Sequence, residues 1–177
     1  MVDMPLSGLM TIGIDISHDT RDRSKSFSAV VATMDLKTCQ AFFSTVSAHQ
    51  NGEEMCNELL LSVAKALHQY ESIHHELPKK ICIYRDGVGE GQTKYVYDHE
   101  VMQLKAKLES IYESSKSEHP LKMCFIVVSK KINTRIFTEN QKNPPAGTVV
   151  DDVITLPERL VFIIVYIFYI YINNKSF

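Results

Sequence analysis

The sequence predicts an α/β fold: a mixed β-sheet flanked by helices. Three strand-like runs on short links come first, and two stretches of helical period follow, each leading into another strand-like run. The 177 residues suffice for one domain with a substantial core, and 45% hydrophobic with 23% charged residues is an ordinary soluble composition. A net charge of −2 excludes a global positive field, so holding a polyanion requires a local basic patch or metal ions.

Taken in order, "GLMTIGID" (8–15) reads as a buried strand and "SHDTRDRSKS" (17–26) as a polar, charged turn. "FSAVVATMD" (27–35) and "CQAFFSTVS" (39–47) read as two further strands, and their short links predict an antiparallel meander. The period then changes. Met55, Leu59, Val63, Leu67 and Tyr70 mark one apolar face of a helix over 52–74, with Asn51 and Glu54 spaced as a capping box at its start. "HHELPKK" ends it, and "ICIYRD" (81–86) is the fourth strand. Val101, Leu104, Leu108, Ile111 and Tyr112 predict a helix over 93–115, and "LKMCFIVVS" (121–129) a fifth strand. Helical crossovers require strands 81–86 and 121–129 to run parallel to neighbours. "NQKNPPAGTVVDD" is expected to be a loop.

"LVFIIVYIFYIYI" (160–172) has no polar residue in thirteen. As a helix it would reach about 20 Å, short of the ~30 Å hydrocarbon core, and its β-branched and aromatic content favours a strand. Cys39, Cys56, Cys82 and Cys124 are widely spaced, with no zinc-type cluster, and are expected to be small buried apolar residues in a reducing compartment.

The chemistry-bearing residues lie at strand ends. Asp15 closes the first strand and Asp86 the fourth. Ligands of open α/β sheets bind outside the carboxyl ends of the strands, and parallel neighbours about 4.8 Å apart would bring both carboxylates to one edge. Such hard oxygen donors suit Mg²⁺ or Mn²⁺. The competing reading is that each aspartate caps a turn. In "YRDGVGEGQ" (84–92), Gly87, Gly89 and Gly91 miss the dinucleotide fingerprint by one position, leaving a phosphate cradle or a tight turn with positive φ.

Read together, "GLMTIGID", "SFSAVVATMD", "LPKKICIYRDGVGEGQ", "VVSKKINTRIF" and "NPPAGTVVDDVITLPER" resemble, in order and spacing, the PIWI domain of Argonaute proteins, closest to the insect aubergine/piwi type of the Piwi subfamily. The resemblance covers residues 6–159. It implies an RNase H-like fold, piRNA-guided RNA silencing, a small guide RNA and a target RNA as partners, and metal-dependent cleavage of the target with Mg²⁺ or Mn²⁺. It places the family's first aspartate on Asp15, its second on Asp86, and its loop-borne glutamate on Glu54, which the bare sequence reads equally as a helix cap; Glu53 is the neighbouring alternative. Lys130, Lys131 and Arg135 resemble a stretch near the guide path, or form a solvated basic face. His18 and Asp19 are assigned to the solvated turn. A monomer in the cytoplasm (perinuclear granules) or nucleus is implied, with no membrane span and no DNA-specific signal.

Departures from the family pattern shape the remaining expectations. The family's last catalytic residue, usually a histidine, lies well past "TLPER", and none of the seven histidines here matches it by motif. Residues 1–159 are therefore expected to be a partial, C-terminally truncated PIWI domain and residues 160–177 an apolar tail unrelated to it. The expected cleavage site is incomplete. The alternative is a non-catalytic RNA- or protein-interaction module on the same fold.

Overall fold

In the computed structural model, the described residues are 7–19, 21–22, 25–35, 41–50, 52–88, 90–115, 117, 119–128, 136–145, 148–150, 160–164 and 167–171. The meander is present: β1 (Leu9–His18), β2 (Ser26–Thr33) and β3 (Phe42–His49) pair antiparallel. β1 runs past Asp15 to His18, because Ser17 and His18 still find ladder partners in Phe27 and Ser26. Helix α1 (Gly52–His74) crosses over to β4 (Lys80–Arg85), which lies parallel beside β1. A second crossover leads to β5 (Met123–Val127), parallel to β4.

The second crossover is not the single helix its periodicity predicts. It opens with a 3₁₀ turn (Glu90–Gln92), continues through the short α2 (Thr93–Tyr95) and a π-helical segment (Val96–Val101), and becomes regular in α3 (Met102–Ser114). The π segment buries Val96, Glu100 and Val101.

The described residues of the apolar run, 160–164 and 167–171, form strands, as its composition predicts. β7 (Leu160–Ile164) and β8 (Ile167–Tyr171) pair antiparallel, and β8 adds to the free edge of β5. Within the predicted loop, β6 (Val149–Val150) pairs with β7, a place two β-branched residues suit. The sheet order is β3-β2-β1-β4-β5-β8-β7-β6. No helix among the described residues is long and apolar enough to cross a membrane.

Strand alternation sorts the sheet into two faces. Met10, Ile12 and Ile14 of β1, Val30 and Ala32 of β2, and Ile81 and Ile83 of β4 are buried in one cluster with Met55, Leu59, Val63 and Leu67 of α1 and Leu104 and Leu108 of α3. The helix-period residues named from sequence are thus the core-facing ones. The opposite face stays open around β1–β3, where Phe27, Val31, Phe42 and Val46 are exposed.

Candidate functional site

The site grows from the β1/β4 register. Pairing runs in step from Leu9↔Lys80 to Ile14↔Arg85, so the next residues along are Asp15 and Asp86. The Asp86 N–H donates to the Ile14 carbonyl at 2.9 Å, carrying the parallel ladder one step beyond β4. Residues in register on adjacent strands share a face, and strands lie about 4.8 Å apart. Asp15 and Asp86 therefore stand side by side at the carboxyl rim, on the face away from the helices; Asp15 is exposed and Asp86 half-buried. The Asp86 carboxylate accepts the Gly87 N–H at 2.7 Å.

Gly87 resolves the glycine question at one position. Its φ is +80°, a conformation that L side chains rarely adopt, and a Cβ there would lie 3.5 Å from both Asp15 Oδ1 and the Ile16 carbonyl. Here the chain turns sharply beside Asp15, and the positive φ is what calls for glycine.

Beneath the rim lies an ion pair that sequence reading missed. Arg85 follows Ile81 and Ile83 inward, and Glu100 follows Val96 inward on the crossover, so the two charges meet in the core. Arg85 Nε donates to Glu100 Oε2 at 2.8 Å and Nη2 to Oε1 at 3.1 Å, with both side chains about 95% buried. Arg85 Nη1 also donates to the Asp86 carbonyl. The guanidinium thus ties the turn carrying Asp86 to the π-helical segment. A signal was available: an arginine two residues after two inward isoleucines, and a glutamate on the Val96–Leu104–Leu108 stripe at four-residue spacing.

The other predicted residues fall differently. β3 runs in the same direction as β1, so α1 starts from the same rim, and Glu53 and Glu54 lie in its first turn. Their side chains, like Asn51 with its predicted cap, lie outside the described residues, as do Lys130, Lys131 and Arg135. Asp19 belongs to the turn, as expected, and its Oδ1 accepts the Arg21 N–H at 2.8 Å; His18 instead ends β1 as the ladder partner of Ser26, with Nδ1 2.7 Å from Ser26 Oγ. Among the described residues no three His, Cys, Asp or Glu side chains gather as a metal cluster. The aspartate pair still fits a hard divalent ion, since Mg²⁺ commonly takes one or two carboxylates and keeps several waters.

Comparison with known proteins gives a consistent picture. The Piwi domain family model matches residues 1–168, which runs past Arg159 into the apolar segment. The chain is 48% identical over 164 residues to Protein aubergine of Drosophila melanogaster and 47% identical over 167 residues to the Piwi-like protein Siwi of Bombyx mori. Each alignment covers 93% of this chain but only 19% and 18% of those relatives. The crystal structure of Drosophila Piwi superposes with a TM-score of 0.83 at 40% identity, over 100% of this chain and 25% of that one. A Kluyveromyces polysporus Argonaute with a guide RNA shares the fold, with a TM-score of 0.71 at 21% identity. The mixed sheet with flanking helices is the RNase H-like arrangement of Argonaute PIWI domains, and this chain belongs to the Piwi family.

Proposed function

We propose that this chain carries part of an RNase H-like RNA-cleavage site that acts in piRNA-guided silencing on target RNA paired to a small guide RNA. The observation that carries the reading is the in-register pairing of Asp15 and Asp86 at one rim of β1 and β4. Family membership and likeness to an Argonaute described with a guide RNA support it. Asp15 and Asp86 would hold Mg²⁺ or Mn²⁺, with Glu54 as the third carboxylate. When bound, such ions activate water and stabilise the leaving oxygen of a phosphodiester. The chain's own contribution is positional: Asp15 is fixed by the β1 ladder, Asp86 by its backbone bond to Ile14, and Gly87 turns the chain beside them at positive φ. Lys130, Lys131 and Arg135 are the proposed phosphate contacts. Action as a monomer in the cytoplasm (perinuclear granules) or nucleus is part of the same proposal.

The test is Mn²⁺ titration of the 177-residue chain followed by electron paramagnetic resonance, alongside binding of a guide–target RNA duplex. Asp15→Ala and Asp86→Ala should each abolish the high-affinity metal signal. RNA binding insensitive to both metal and Asp86 would replace the proposal with a non-catalytic interaction module.

A further inference from the structure

A second cluster lies on the open face, one strand over from Asp15. Cys82 of β4 and Cys124 of β5 are exact register partners on parallel neighbours, so both thiols leave the sheet on the same side. Adjacent strands about 4.8 Å apart fall within the ~4.4–6.8 Å Cα separation that a disulfide spans. Both residues are free thiols and half-buried, unlike the fully buried Cys56, so the sequence expectation of inert core residues fails for these two. The neighbouring Cys124 thiol lowers the Cys82 pKa to about 7 against the raising effect of burial, with a smaller lowering from Tyr84. The same pairing pushes Cys124 well above the usual thiol range. Register partners on one face can share a single proton, so the pair reaches a thiolate more readily than an isolated thiol and keeps a second sulfur beside it, the arrangement of an attacking and a resolving cysteine.

We propose that Cys82 and Cys124 form a hydroperoxide-oxidisable dithiol that closes to a disulfide across β4 and β5. Cys82 thiolate attacks the O–O bond of a hydroperoxide; an S–O bond forms, the O–O bond breaks, and the departing oxygen leaves as water or alcohol after taking a proton. Cys124 sulfur then attacks the Cys82 sulfenic sulfur; the S–S bond forms, the S–O bond breaks, and hydroxide departs with the Cys124 proton as water. The two cysteines lose two electrons and the hydroperoxide gains two. The chemistry is independent of the metal and RNA proposed for the rim.

The experiment treats the reduced 177-residue chain with hydrogen peroxide and digests it with trypsin without reductant. The expected product joins peptide Ile81–Arg85 to peptide Met123–Lys130. It should form at least about tenfold faster in the native chain than in urea, because the fold holds the sulfurs together. Cys124→Ser should leave Cys82 as a dimedone-trappable sulfenic acid, and Cys82→Ser should abolish the link. Equal rates in urea and buffer, links to Cys39 or Cys56 as frequent as the link to Cys124, or direct passage of Cys82 to sulfinic acid would each overturn the proposal. The native-against-urea comparison needs no variant, so it stands even if a substitution fails to fold.

Discussion

Replacing Glu100 by glutamine keeps the side chain's shape and removes its charge. Arg85 then retains an acceptor for one of its two N–H groups, while the other meets an amide NH₂, donor against donor. Both side chains are about 95% buried, so water has little access to replace the lost bond. Breaking a buried ion pair from one side costs about 3–5 kcal/mol. For a domain of this size each kcal/mol moves the melting temperature by about 2–4 °C, giving an expected fall of about 6–20 °C. Circular dichroism melts of the wild-type chain, Glu100→Gln and the double variant Arg85→Met/Glu100→Leu measure it. The double variant leaves no orphaned charge and should recover most of the loss. It also lacks the Arg85 bond to the Asp86 carbonyl, so its Mn²⁺ affinity should stay weakened although its stability returns. A fall under about 2 °C for Glu100→Gln, or a double variant no better than the single, would refute the reasoning.

Other outcomes follow from the same structure. Gly87→Ala should cost about 1–3 kcal/mol in urea unfolding through its positive φ. Leu67→Ala, at a fully buried position of α1, should destabilise by about 2–5 kcal/mol in the same assay, against little effect for an exposed position such as Leu61. Tyr112 donates its hydroxyl to the Pro78 carbonyl, and burial pushes its pKa above the ordinary value. A raised acid contributes stability that is present below the unfolded-state value of about 10 and lost as pH rises toward the folded-state value. Alkaline unfolding monitored by tyrosinate absorbance should therefore show a late, cooperative phase, and Tyr112→Phe should remove that phase while lowering stability at neutral pH.

Much of the fold is legible because its signals are local. β1–β3 alternate cleanly and sit on short links, and the apolar stripe of α1 at Met55, Leu59, Val63, Leu67 and Tyr70 is the stripe that the core buries. Asp15 and Asp86 were identifiable because strand ends in a parallel sheet are where ligands gather, and the register brings the two together. The π-helical segment was not legible. Val96, Val101, Leu104, Leu108 and Tyr112 satisfy an α-helical period by themselves, and no local spacing marks the wider turn. The Cys82–Cys124 contact was hidden for another reason: parallel register between β4 and β5 is set by a long crossover, and no short-range spacing encodes it. Glu54 is placed by its backbone at the start of α1.

The parallel neighbours β1 and β4 have a consequence for how the rim comes into being. A hairpin joins its strands through one tight turn, but these two parallel strands are joined through β2, β3 and α1, so their pairing rests on contacts distant in the chain. The aspartates are therefore brought together by long-range pairing, and a peptide containing only one of them lacks the strand that carries the other.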